Sequence, residues 1–451
     1  MSLILPANSL TGGYEIANSL RFDGGSSDSL TRTASSGNRK TYTFSAWLKR
    51  TKLSVAGVTG DRIFSGYVDG SNWTTLYFGA DDRLQLYQWS SGTPNVAPSR
   101  LFRDVSAWYH IILAVDTTQA TSSDRVKMYV NGIQETSFNS SNYPTLNQDT
   151  NINTLGSTFY IGLDPNDDCN MYMSETYFID GQQLTPTDFG EFDQDTGIWK
   201  PIKYTGTYGT NGFYLDFENS GSLGADQSGN GNNFTVNNLT SIDQTTDTPT
   251  NNFSTGNPLS TSIAFTEGNL NVTGATNFKN TFPVVKGKWY CELKINSTNI
   301  YYPAFGIGQI GVNATDNPSA TNFPGLNFAN SIGLQKSGDL YRNTSTLTSV
   351  SSFAQNDIVG MALDLDSGTK TLKFYKNGTL VTSVDLIETA SEPYIFMTYG
   401  SGANPGDCSF NFGNPTYSAN SYTDGAGYGN FSYAVPSGYY SLCTKNLAEF
   451  G

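Results

Sequence analysis

The chain has one histidine among 451 residues and four cysteines, Cys169, Cys291, Cys408 and Cys443, none of them in a C-x-x-C pair. That scarcity nearly excludes a zinc site of the usual Cys/His kind. Four thiols so widely spaced are not a disulfide framework, and the expectation is free, buried thiols in a protein folded in a reducing cytoplasm. Long apolar runs are missing too. No segment approaches the ~20 apolar residues of a membrane helix, so membrane insertion is not expected. The opening MSLILPANSLTGGYE holds an apolar stretch of about four residues, too short for a secretory signal. Charge is sparse, 14% of residues, and sums to −14. With no basic patch, neither nucleic acid nor anionic lipid is an expected partner. The acidity is spread thinly and serves solubility.

What the chain has instead is 27 Tyr, 27 Phe and 46 Gly, with Asn, Ser and Thr supplying most of the polarity. That is the composition of twisted antiparallel sheets with many tight turns. Segments of alternating polarity run through the first half: TYTFSAWLKR (41–50), RIFSGYV (62–68), TTLYFG (74–79), RLQLYQW (83–89), WYHIILAVD (108–116), VKMYVNG (126–132) and TFYIGL (158–163). They resume with KWYCELKI (288–295), YPAFGIGQI (302–310), SIGLQ (331–335), IVGMALDLD (358–366), TLKFYKNG (371–378), PYIFMTYG (393–400) and CSFNFG (408–413). Period two with regular turns predicts β-sandwiches, and the length predicts two of them.

The fold expected is therefore all-β. Two antiparallel sandwiches of jelly-roll type, residues 19–240 and 262–415, are joined by a strap at 241–261. The strap has almost no hydrophobic residues and reads as an extended or solvated linker. An N-terminal arm (1–18) and a Gly/Tyr-rich tail (416–451) flank them. Neither extension is expected to bury itself in a small sandwich, and packing against another module, copy or partner is its natural use. LTPTDFGEF (184–192) is a helical candidate of a turn or two, capped by Thr185 or Thr187 and limited by Gly190. Each half also carries one Asn-Gly hairpin, VKMYVNGIQETSF and LKFYKNGTLVTSV, because Asn and Gly tolerate the positive φ of a tight turn.

Family resemblances follow from these residues. TYTFSAWLKR, WYHIILAVD, VKMYVNG and YIGLDPNDDCNMYMSETYFIDGQQLTPTDFG, in that order, resemble the concanavalin A-like, laminin G-like and pentraxin-like jelly rolls over about residues 20–217. GKWYCELKI, AFGIGQI, SIGLQKSGDLYRN, NDIVGMALDLDSGTKTLKFYKNG and CSFNFGNP resemble a SPRY (B30.2-like) domain over about 262–415. The opening MSLILPANS, SLRFDGGSSDSLTRT, the strap TDTPTNNFSTGNPL and the ending YAVPSGYYSLCTKNL together resemble virion proteins of tailed phages, particularly marine ones. That resemblance implies a structural or host-recognition protein of the particle.

Little in the sequence is arranged for catalysis. Glycanases on concanavalin A-like folds place carboxylates on one strand as E-x-D-x-x-E. Here Glu175 and Asp180 are five apart and face opposite sides of an ideal strand, while Glu191, Asp193 and Asp195 lie beside Gly190 and Gly197, where a loop is expected. The single histidine, His110, sits mid-strand with no G-x-S-x-G elbow and is expected to pack. The laminin G-like and pentraxin-like resemblance implies calcium as a candidate cofactor. Asp164, Asp167 and Asp168 in DPNDDCN, with Asp226 in DQSGNGNN, are the oxygen ligands it implies, against the alternative that both are ordinary turns. For a sugar or protein ligand the candidates are exposed aromatics near turns: Trp73, Tyr301 and Tyr302, with Tyr341 and Arg342 in a region that SPRY relatives use for binding.

The function expected is a non-enzymatic virion protein, a tail fibre or tail-associated appendage, binding a host-surface glycan or receptor. Its partners are other virion proteins and copies of itself. A capsid decoration or collar protein without a free ligand is the alternative, and a glycan depolymerase the third.

Overall fold

A computed structural model describes residues 13–53, 60–89, 94–165, 167, 169–260, 265–274, 277–309, 324–325, 330–387, 392–400 and 406–451. The chain is nearly all-β, and among the described residues the only α-helix is Thr444–Phe450. No described helix is long and apolar enough to cross a membrane. All four cysteines are buried, and none is joined in a disulfide. The described residues from 13 to 250 form one compact unit and those from 251 onward another.

The first unit is built from two eight-stranded antiparallel sheets. One sheet runs Ile133–Gln134, Val126–Val130, Tyr109–Asp116, Thr41–Arg50, Met171–Asp180, Ser19–Phe22 and Gln244–Thr245, with Phe213–Leu215 also paired to Met171–Asp180. The other runs Phe138–Asn142, Asn95–Pro98, Leu84–Trp89, Asn72–Phe78, Asp61–Asp69, Thr158–Gly162, Ser29–Thr33 and Thr235–Asn237. Alternation places Tyr42, Phe44, Ala46 and Leu48 of Thr41–Arg50 in the core between the sheets, against Phe64, Leu76, Leu86 and Phe159.

The opposite side of that strand is buried as well, which period two alone does not anticipate. Trp47 packs with Ile16, Trp108, Tyr172 and Trp199, and Ile112, Tyr177 and Ile179 pack with Phe189, Tyr204 and Tyr214. The first sheet is thus roofed by its own chain, and the unit has three layers. The strap takes part in this roof instead of lying in solvent. Asp247 is fully buried, accepting from Lys49 Nζ at 2.8 Å and Trp108 Nε1 at 3.1 Å. Its lack of hydrophobic residues misleads because a short polar segment is buried readily once each polar group has a partner. The helical candidate forms only a 3₁₀ turn, Pro186–Asp188, in which the Thr185 N–H donates to Asp188 Oδ2 at 2.9 Å.

The second unit has an eight-stranded and a six-stranded sheet. The first runs Phe265–Thr266, Asn271–Val272, Cys408–Asn411, Lys288–Ile295, Ile358–Asp364, Thr371–Lys376 and Thr379–Asp385, with Tyr440–Ser441 set parallel beside Lys288–Ile295. The second runs Asn277–Lys279, Tyr394–Tyr399, Ala304–Gln309, Ser331–Gln335, Asp339–Arg342 and Ser345–Ser349.

Contrary to expectation, the C-terminal tail is buried on its own sandwich. Phe431 and Tyr439 pack on Tyr290 and Ala362, and the rings of Tyr440 and Phe450 stack 3.7 Å apart. Glu292 holds it in place, accepting the N–H groups of Ser432 (2.8 Å) and Tyr433 (3.0 Å). The outer face of the eight-stranded sheet is apolar around Tyr290 and Ala362, so it needs a cover, and the tail supplies one.

Candidate functional site

Two buried clusters lie under the roof of the first unit. In one, His110 is stacked between Trp47 (centroids 4.8 Å) and Trp199 (5.9 Å). Trp199 Nε1–H donates to His110 Nδ1 at 2.9 Å, and Ser45 Oγ lies 2.8 Å from Nε2. Indole nitrogen is only a donor, so Nδ1 accepts and the neutral ring carries its proton on Nε2, directed at Ser45. A general base needs the reverse arrangement, with a free Nε2 lone pair facing the hydroxyl. Burial lowers the His110 pKa to about 3, which keeps the ring neutral.

The other cluster centres on Glu175. A bulge between Ser174 and Tyr177 puts Glu175 at φ 48°, and its carboxylate accepts from Tyr14 (3.0 Å), Tyr177 (2.5 Å) and Tyr214 (2.8 Å). Burial raises its pKa to about 7, partly offset by the phenolic donors. Asp180 is held apart from it by Asn38 N–H, Asn153 Nδ2 and Asn211 N–H. Asp193 caps its own turn through the Asp195 and Thr196 N–H groups, and Lys200 pairs with Glu191 and Asp193. Glu175, Asp180, Glu191 and Asp193 are thus engaged by neighbouring donors and by Lys200.

The outward face of the second sheet of this unit is different. Its register sets Thr158, Tyr67, Trp73 and Trp89 side by side across four strands, and Tyr160, Ser65, Thr75 and Tyr87 in the next row. The Trp73 and Trp89 ring planes are parallel within 4° with centroids 6.3 Å apart, and Tyr87 leans on both, at 5.4 and 6.0 Å. Tyr67 meets Tyr160 edge-on at 6.3 Å. Trp89 is 48% exposed, whereas Trp73 is only 9% exposed beneath its neighbours. The Arg62 guanidinium lies over the Trp73 and Tyr77 rings, 5.5 and 4.6 Å from their centroids.

Arg62 also decides how the DPNDDCN loop is used. It makes ion pairs with Asp164 (3.6 Å) and Asp167 (3.7 Å), and Ser65 Oγ donates to Asp164 Oδ2 at 2.7 Å. A guanidinium already occupies the place where a calcium ion would sit between these carboxylates. Asp226 is bound by the N–H groups of Tyr214, Ser228 and Asn232 and by the Ser228 hydroxyl. Asp168 lies outside the described residues. Among the described residues no group of three His, Cys, Asp or Glu side chains is placed to hold a metal. The three described acids, Asp164, Asp167 and Asp226, are thus engaged by Arg62 or by backbone and hydroxyl donors.

Of the remaining candidates, Tyr302 is buried at 3% exposure and packs with Ala304, Tyr399 and the half-buried Tyr341. Tyr301 is 52% exposed, and Arg342 is turned aside to donate to the Asp385 carbonyl. The second unit thus gathers Tyr302 and Tyr341 in one packed cluster that leaves Tyr301 outside. Trp73, expected as an exposed aromatic near a turn, is instead only 9% exposed because Arg62, Tyr87 and Trp89 pack on it, while Trp89, Tyr87, Tyr67 and Tyr160 are not among the sequence candidates. The signal was available: in RLQLYQW the residues alternating with core Leu84 and Leu86 are Gln85, Tyr87 and Trp89, aromatics on the side where polar residues are usual.

Residues 23–187 match the family model of the concanavalin A-like lectin/glucanase superfamily. The first unit has a concanavalin A-like, laminin G-like fold. No curated protein matches the sequence. Among solved structures, the chain is similar to the SPRY domain of human HERC1, with 20% identity over 34% of this chain and 96% of that one and a TM-score of 0.28. It is similar to a putative carbohydrate binding protein from Bacteroides ovatus, with 16% identity over 50% of this chain and 59% of that one and a TM-score of 0.33. It is also similar to domains LG4-5 of the mouse laminin alpha1 chain, with 11% identity over 87% of this chain and 84% of that one and a TM-score of 0.31.

Proposed function

We propose that the chain is a non-enzymatic adhesion protein of a tailed-phage particle whose first sandwich binds a surface glycan on its aromatic sheet face. The observation that carries the reading is the exposed Trp89 ring with the half-buried Tyr87 and Tyr67 on the same sheet face, set around the buried Trp73 that supports them. Aromatic rings offer flat apolar surface with little rotamer freedom to lose, which suits the C–H faces of sugars. Each such contact is weak, and many copies on one particle multiply it.

Glycan-array binding of the full chain, compared with Trp89→Ala, tests the site. Binding by the parent and loss in the variant is the expected result, and unchanged binding by the variant removes the face from the function. Cryo-electron microscopy of the particle tests the placement. A distal appendage with this face turned outward is expected, whereas the same face packed against a capsid or collar neighbour assigns a cementing role instead.

A further inference from the structure

Resting on that reading of the aromatic face, we infer that its ligand is a neutral glycan several sugar rings long, lying across the strands, and that sugars bearing carboxylate or sulfate are rejected.

The first argument is charge. Among the described residues two guanidinium groups belong to this face, and neither is free. Arg62 has 5% of its side chain exposed, is ion-paired with Asp164 and Asp167, and lies over two rings. Arg83, at the end of the hairpin joining Asn72–Phe78 to Leu84–Trp89, is paired with Asp81 at 2.7 Å. At the opposite end, next to Trp73, Asp69 accepts from the Ser71 N–H and Asn72 Nδ2, which hold its pKa below the usual value. Carboxylates therefore outnumber cations at this face. An anionic sugar placed here would lose hydration, find no unpaired cation and meet like charge. Arg62 serves as a brace for the rings and not as an anion receptor.

The second argument is extent. The rings form two groups, Trp73, Tyr87 and Trp89 on one side and Tyr67 and Tyr160 on the other. Four strands separate the ends of a row, about 14 Å at a spacing of ~4.8 Å. The ground between the groups offers little to a ligand. Ser65 and Thr75 are buried, their hydroxyls 2.8 Å apart, and Ser65 is engaged with Asp164. Tyr67 and Trp73 adjoin in the other row, but Trp89 and Tyr160 lie three strand spacings apart, so use of both of these rings requires a chain that bridges them.

Isothermal titration of the full chain with neutral cello-, laminari- and malto-oligosaccharides, from dimer to hexamer, against oligogalacturonates and heparin fragments, tests the inference. The expected result is binding of a neutral series, with affinity rising about tenfold or more with length and little change with salt. Trp89→Ala and Tyr160→Ala should each weaken the hexamer, while only one of them affects the dimer. Preference for an anionic series with salt-sensitive affinity overturns the inference, as does affinity independent of length. Failure of the underlying reading looks different: no series of either charge binds, or binding survives both substitutions. Concentration-dependent protection of Trp89 from oxidation, without any glycan, assigns the face to a second copy and overturns both.

Discussion

Tyr14 Oη donates 3.0 Å to Glu175, a partner 161 residues away in sequence. The pair ties the N-terminal segment to the roofed sheet through a carboxyl whose pKa burial raises from 4.5 to about 7. A carboxyl with a raised folded-state pKa holds its proton more tightly in the native state. It therefore lowers stability as pH rises from about 4.5 through 7, and above that the loss is complete. Glu175→Gln should abolish this slope, worth on the order of 3 kcal/mol across the window. Thermal unfolding of parent and variant from pH 4 to 8 checks it, and parallel curves would refute it.

The imidazole of His110 should stay neutral throughout the physiological range. Its pKa is lowered to about 3 by burial, so its contribution to stability is present above the unfolded value of 6.5 and lost as pH falls toward 3. The expected NMR result is no shift of the ring resonances between pH 5 and 8. His110→Ala should cost about 2–4 kcal/mol, because it opens a cavity between Trp47 and Trp199.

Trp89 and Trp73 should separate binding from stability. Trp89→Ala removes a half-exposed ring and should change stability by about 1 kcal/mol or less while weakening glycan binding. Trp73→Ala removes the ring beneath it, over which Arg62 lies, and should destabilise the unit by about 3 kcal/mol. Denaturant melts beside titrations with the same glycan distinguish the two.

Glu292→Ala should loosen the C-terminal tail. The substitution leaves the Ser432 and Tyr433 N–H groups without their acceptor, at a cost of about 1–3 kcal/mol. Limited proteolysis followed by mass spectrometry should show cleavage near residue 430 well before the parent is cut there. Equal cleavage rates would mean that Phe431 and Tyr439 hold the tail unaided.

The two Asn-Gly phrases show how much of the fold the sequence carries. Asn131 and Gly132 sit at φ 47° and 79°, Asn377 and Gly378 at 48° and 79°. In each case the Asn side chain also accepts from the first residues of the neighbouring strand, His110 N–H at 2.7 Å and Ile358 N–H at 2.8 Å. Local chemistry determines such a turn, so it is readable. The bulge at Glu175 is not: Met171 and Met173 face the core, and so does Phe178, a switch of parity that MYMSETYFID does not announce. The burial of Asp247 and of the tail was equally hidden, because both depend on partners far along the chain. The aromatic face was half legible, since alternation shows which side a ring takes but not which strands lie beside it.

The roof over the first sheet has one more effect. Ile16 and Thr250, near the two ends of the first unit, are hydrogen-bonded to each other at 3.1 and 3.2 Å, and Ile16 packs in the roof beside Trp47 and Trp199. The strands leading into and out of the unit are thereby cinched together behind it, and the rings of Trp89 and Tyr160 belong to the sheet on its other side.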